Sequence, residues 1–153
     1  MTTFVGNQEQ FHDALYELCE LDYDAAEAYE AAINRINNEY YKTRLAAFKQ
    51  DHLRHIEEIT NLLERHNLKA PAGPGPKQIL TEGKVVFANI FGDSAILKAM
   101  LSNEIDTNIA YERLNNRQDK WIDAEDILLR GLHDEKRHKA WIEEALRQEE
   151  IVD

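Results

Sequence analysis

Cysteine is all but missing from this chain: Cys19 is the only one among 153 residues. One thiol closes no internal disulfide and cannot build a cysteine-ligated zinc or iron–sulfur site, so the expected setting is a reducing compartment, the cytoplasm. Long apolar runs are missing too. Stretches such as Val85 to Ala88 fall far short of the ~20 residues that cross a bilayer. The first 20 residues contain no Lys or Arg, the opposite of a signal peptide, and no membrane partner is expected. Positive charge is the third shortage. Against 29 Asp and Glu stand 18 Lys and Arg, a net charge of −11. Such a surface repels phosphate, so nucleic acid is not an expected partner. The same field draws in cations, divalent metals among them, although acidic surfaces also serve solubility alone.

Proline and glycine are scarce and unevenly placed. All three prolines and two of the six glycines lie between Ala70 and Pro76, which marks a loop that divides the chain in half. Elsewhere Ala, Leu, Glu, Lys, Arg and Gln abound, and apolar residues return every three to four positions, the helical period. Weaker breaks fall at Asn37-Asn38 and between Asn115-Asn116 and Asp119. Four helices are expected: Asn7 to Ile36, Tyr40 to His66, Lys84 to Leu114 and Lys120 to Glu149. Asn7 and Gln10 resemble a capping box, and Gly92 is placed at the start of the third helix or at a bend in it. Short links within each half make two antiparallel hairpins, and a crossover loop over about residues 67–83 carries the chain from one end of a bundle to the other. The length and the 43% apolar content suit one all-α, antiparallel four-helix-bundle domain over residues 1–153. The halves also resemble each other: Asp24 to Glu30 can be laid over Asp106 to Glu112, and Asp51 to His55 over Asp134 to His138, with offsets that differ by one residue. This reads as an internal repeat of one hairpin.

The buried stripe of each helix, traced at alternating steps of three and four, carries the informative signal. Helix one gives Leu15, Leu18, Asp22, Ala25, Tyr29, Ala32 and Ile36. Helix two gives Leu45, Phe48, His52, His55, Ile59 and Leu62. Helix three gives Ile90, Ser94, Leu97, Leu101, Glu104, Asn108 and Tyr111, and helix four gives Trp121, Ala124, Leu128, Gly131, Glu135, His138, Ile142 and Ala145. Every stripe is interrupted near its middle by carboxylate or imidazole. For Asp22 to stand level with His52 and His55 the first hairpin must turn near residue 38; for Glu104 to stand level with Glu135 and His138 the second must turn near residue 120. Both positions coincide with the breaks. Six polar side chains, Asp22, His52, His55, Glu104, Glu135 and His138, are thus expected in one core layer. Ionised carboxylates in a dry interior cost several kcal/mol unless paired or metal-bound. His and carboxylate donors without sulfur suit iron, manganese or zinc.

Glu135-Lys-Arg-His138 resembles the Glu-x-x-His motif of ferritin-like proteins, the superfamily of rubrerythrin and bacterioferritin. Glu104 with Tyr111, and Asp22 with Tyr29, resemble the carboxylate and supporting Tyr of their alternate helices, and the two hairpins with a long crossover extend the resemblance over nearly the whole chain. It implies a dinuclear centre in which helices one and three each give a carboxylate, while helices two and four each give a bridging Glu and a terminal His. His52 stands where the second bridging Glu belongs. A neutral imidazole binds through one nitrogen, so one metal ion, an asymmetric pair, or zinc all stay open. With iron, the resemblance implies oxidation of Fe(II) by O2 or peroxide, with metal ions and small oxidants as partners and a homo-oligomer as a possible assembly.

The plainer alternative is a buried hydrogen-bond and ion-pair network that satisfies itself, in a non-enzymatic interaction or stress-related bundle. Asp51 and Asp134 lie beside the stripe, where exposed ion pairs with Arg54 and Arg137 are expected. His12, His66 and His133 fall outside the layer, Trp121 and Trp141 read as packing, and Cys19 reads as a small residue at the core edge.

Overall fold

Asn38 starts the second helix because its side chain accepts a hydrogen bond from the Tyr41 amide at 3.1 Å, filling one of the donors that a helix start leaves open. The computed structural model describes residues 3–75 and 91–152. Their helices are α1 (Phe11–Ile33), α2 (Glu39–Arg65), α3 (Asp93–Asn115) and α4 (Glu125–Val152), with a 3-10 turn over Ile122–Ala124 leading into α4. No strand occurs among the described residues. α1 packs against α2 and α3, and α4 packs against α3 and α2, which is the all-α four-helix bundle expected from the sequence.

Contacts between helix ends set the directions. Asp93, at the start of α3, accepts from the amides of Asn37 and Asn38 at 2.8 and 2.9 Å. Tyr41, early in α2, donates to Glu149 late in α4 at 2.6 Å. At the opposite end, His66 after α2 meets Asp123 before α4 at 2.9 Å and stacks on Trp121 at 3.7 Å. Each helix therefore runs antiparallel to both its neighbours. The end of α2 and the start of α3 lie at opposite ends of the bundle, roughly 40 Å apart for a helix the size of α2. The far end of the expected crossover, the expected helix start at Lys84 and the stripe position Ile90 lie outside the described residues.

Three expectations need correction. α1 begins at Phe11 rather than Asn7, and its N-cap Gln10 makes no side-chain capping bond. Residues 3–9 instead lie along the end of α3, where Arg113 binds the carbonyls of Thr3 and Val5 and Arg117 those of Gly6, Gln8 and Glu9. Gly6 takes φ +101° there, and a Cβ on it would stand 2.5 Å from that of Arg113, so a helix start upstream would lose these bonds. α4 begins at Glu125 rather than Lys120, because Trp121 is extended and packs edge-on against Phe11 at 5.1 Å. On α3 the buried face is rotated from the expected stripe: Met100, Asn103, Thr107 and Ala110 are buried, while Leu101 and Asn108 are only half-buried.

The apolar core falls into two clusters. One gathers Leu15, Leu18, Ile59, Leu62, Leu114 and Leu128 near the α1 start; the other gathers Ala32, Leu45, Phe48, Ile96, Leu97 and Ile142 toward the opposite end. The polar layer lies between them. Gly131 is buried on α4 because the ring of Tyr111 occupies the place of its side chain, with a ring carbon 2.3 Å from where a Cβ would stand. Gly131→Val gains little helix propensity and must displace a fully buried ring. It is expected to destabilise the fold by about 1–3 kcal/mol, read as a lower urea midpoint.

Candidate metal centre

Each helix delivers its polar residues through the same register that buries its apolar ones. α1 presents Asp22, α2 His52 and His55, α3 Glu104, and α4 Glu135 and His138. All six are buried, none more than 4% exposed. On α2 and α4 a spacing of three residues places both side chains on one face. The structure thus brings the six residues singled out in the sequence into a single layer.

Within it two groups of donors stand out, each able to hold a metal ion: Asp22, His52, His55 and Glu135, and His52, Glu104, Glu135 and His138, with the donor atoms of each group within 4.8 Å of one another. In the first, Asp22 Oδ1 lies 2.8 Å from His52 Nδ1 and 3.2 Å from His55 Nδ1, and Glu135 Oε1 lies 3.5 Å from both nitrogens. In the second, His138 Nδ1 lies 3.4 Å from Glu104 Oε1 and 3.5 Å from Glu135 Oε2, while His52 Nε2 lies 3.7 Å from Glu104 Oε1.

A second ring of residues holds these donors, mostly from the opposite hairpin. Tyr111 donates to Asp22 Oδ2 at 2.6 Å, and Tyr29 donates to Glu104 Oε1. His55 Nε2 meets Asp134 at 2.8 Å, and His138 Nε2 meets Asp51 at 2.7 Å. Arg54 binds Asp134, and Arg137 binds Asp51 at 2.8 Å. The expected pairs Arg54–Asp51 and Arg137–Asp134 form as well, but both aspartates are half-buried and their main role is across the bundle rather than along the helix. Thr107, absent from the sequence reading, donates to Glu135 Oε2 at 3.0 Å or to Glu104 Oε2 at 3.2 Å. The signal for the aspartates was present: an Asp sits four residues ahead of the terminal His in both halves of the repeat.

Charge explains the protonation states. An ionised carboxylate only accepts, so Asp134 and Asp51 require the Nε2–H form of His55 and His138, which turns each Nδ1 into the layer. Burial opposes charge on these rings, but the Asp22 charge and the bonds to Asp134 and Asp22 hold His55 up at about 9. For His138, the bond to Asp51 and the nearby Glu104 and Glu135 carboxylates overcome burial and hold it up at about 10. His52, fully buried, is also raised well above its ordinary value by Glu135 and Asp22. Burial, with the Glu104 charge added, pushes Glu135 up to about 7 against the pull of His52. Asp22 and Glu104 are lowered, burial being outweighed by their histidine neighbours.

The network nevertheless leaves donors unmatched. His52 Nε2, His138 Nδ1 and Glu135 Oε1 are buried and without a hydrogen-bond partner. Each faces other donors across a gap too long for a hydrogen bond, which is the geometry a cation fills. The set therefore fits a divalent metal ion: nitrogen and oxygen donors, imidazole tautomers fixed from behind, and no sulfur.

The sign of the pH dependence follows. Groups raised on folding (His52, His55, His138, Glu135) stabilise the fold below their ordinary pKa and lose that contribution as pH rises through their folded values. The lowered Asp22 and Glu104 lose theirs only toward strong acid. Metal-free protein is thus expected to melt at steadily lower temperature as pH rises from about 7 to 10, measurable by differential scanning calorimetry. Replacing Asp134 by Asn frees the His55 ring and is expected to weaken metal binding about 10–100-fold by titration calorimetry.

No curated protein and no solved structure matches the chain significantly. Residues 10–117 match a family model, a span that includes Asp22, His52, His55 and Glu104 and stops short of Glu135 and His138. On that match, which covers most of its length, the chain belongs to the family described as Domain of unknown function (DUF2383).

Proposed function

We propose that this chain is a ferritin-like protein, a single domain over residues 1–153, that binds divalent metal ions in its central layer and, with iron, passes electrons from Fe(II) to O2 or peroxide. The observation that carries the reading is the three buried, unpartnered donor atoms, His52 Nε2, His138 Nδ1 and Glu135 Oε1, converging between the helices. A network that satisfied itself would not leave them. Glu135 would serve as the bridging carboxylate, Asp22 and Glu104 as terminal carboxylates, and His55 and His138 as imidazole ligands. The same donors accept manganese or zinc.

Iron held by these residues would supply one-electron redox chemistry, enough from two Fe(II) to reduce one H2O2 with two protons to two waters. The chain's own residues do the rest. Three carboxylates favour the higher charge of Fe(III). Tyr29 and Tyr111, their phenols held protonated by burial and by the neighbouring carboxylates, fix Glu104 and Asp22 in place. Apolar clusters on both sides of the layer keep bulk water from the reacting atoms. No described helix is long and apolar enough to cross a membrane, and buried Cys19 suits the reducing cytoplasm.

One observation favours the rival, a non-enzymatic bundle: with all three histidines protonated, the three carboxylates are neutralised without metal. Thermal melts separate the two. With Fe(II), Mn(II) or Zn(II) at about 100 times Kd, stabilisation of about 2.7 kcal/mol is expected, on the order of 5–10 °C in Tm for this chain size. Glu135→Met with His138→Leu is expected to raise the Tm of metal-free protein and to abolish the metal-dependent rise. Tag-free protein that takes up no metal would overturn the proposal.

A further inference from the structure

His52 is the residue by which this layer departs from a carboxylate-only bridge, and its placement is specific. Its two ring nitrogens face different donor groups. Nδ1 points to Asp22 Oδ1 at 2.8 Å and Glu135 Oε1 at 3.5 Å; Nε2, unpartnered, points to Glu104 Oε1 at 3.7 Å. Glu135 is divided in the same way, with Oε1 beside His52 and His55 and Oε2 beside His138. His52 and Glu135 are the two residues common to both groups of donors. They sit on α2 and α4, and each places one donor atom on either side.

We propose that His52 bridges two metal ions as an imidazolate, one ion on each ring nitrogen. This rests on the metal-binding reading above. One ion then has Asp22, His55, Glu135 and His52 Nδ1; the other has Glu104, His138, Glu135 and His52 Nε2. Each set is two nitrogens and two oxygens. Binding at both nitrogens releases the last ring proton to solvent, and the charges close: Asp22, Glu104, Glu135 and the imidazolate supply four negative charges against four positive on two divalent ions. A neutral His52 bound through one nitrogen would leave an unbalanced positive charge in a dry layer, the situation that burial penalises most. The ring thus replaces both the bridge and the charge of the carboxylate that the resemblance places at this position.

An imidazolate bridge also sets a distance. Two metal–nitrogen bonds of about 2 Å, pointing outward across the ring, hold the ions about 6 Å apart, against about 3.5–4 Å in common two-metal sites. The test uses the full, tag-free chain loaded with Zn(II), with elemental analysis for stoichiometry and anomalous difference maps of crystals for position. Two zinc ions per chain, about 6 Å apart and both in contact with the His52 ring, are expected. His52→Gln is expected to bind one zinc, or the second at least tenfold more weakly. His52→Glu is expected to restore two ions at about 3.5–4 Å, which separates loss of the bridge from loss of the fold. One zinc per wild-type chain, a close-spaced pair, or a ring bound through one nitrogen would overturn the bridge and leave metal binding intact. No zinc uptake together with no uptake of iron or manganese would overturn both.

Discussion

Three carboxylates held in one dry layer repel each other unless positive charge stands among them, and the arrangement of this bundle follows from meeting that condition. Asp22, Glu104 and Glu135 are all essentially inaccessible to water. Arg54 and Arg137 are exposed and engage Asp134 and Asp51 instead. Only His52, His55 and His138, or metal ions held by them, can neutralise the interior. Burial alone would strip these rings of charge; the carboxylates around them reverse that effect.

The same condition ties the hairpins together. Tyr111 on α3 holds Asp22 on α1, and Tyr29 on α1 holds Glu104 on α3. Asp134 on α4 holds His55 on α2, and Asp51 on α2 holds His138 on α4. Hydrogen bonds to charged groups are worth about 1.5–3 kcal/mol each, and here each one joins the two halves of the repeat. The centre is therefore also a clasp between hairpins: loosening one half withdraws support from the ligands of the other. Reciprocity of this kind gives the duplicated motif a physical purpose, since either hairpin alone would carry only three residues of one donor set and one of the other.

Much of this was legible because helical periodicity is a local property. Asp22, His52, His55, Glu104, Glu135 and His138 stood out by interrupting apolar stripes, and the Asn37-Asn38 and Asn115-Asn116 breaks set their heights. For Asp51 and Asp134 spacing shows only one of their partners: the arginine three residues away does pair with each, while the imidazole that each also binds comes from the other hairpin. Thr107 was missed because α3 is rotated relative to a simple step of three and four, and a threonine in a helix carries no signal by itself. The early start assigned to α1 failed because Arg113 and Arg117, more than a hundred residues away, capture the backbone there.

Spacing along single helices is enough to read the all-α bundle, the heights of its turns and the six polar residues of its middle layer. Packing of the helices against one another settles which carboxylate faces which imidazole, which donor atoms are left without a partner, and that the two nitrogens of His52 open toward different donor groups. Those depend on the rotation of each helix and on side-chain direction across the bundle, and no periodicity within a single helix encodes either.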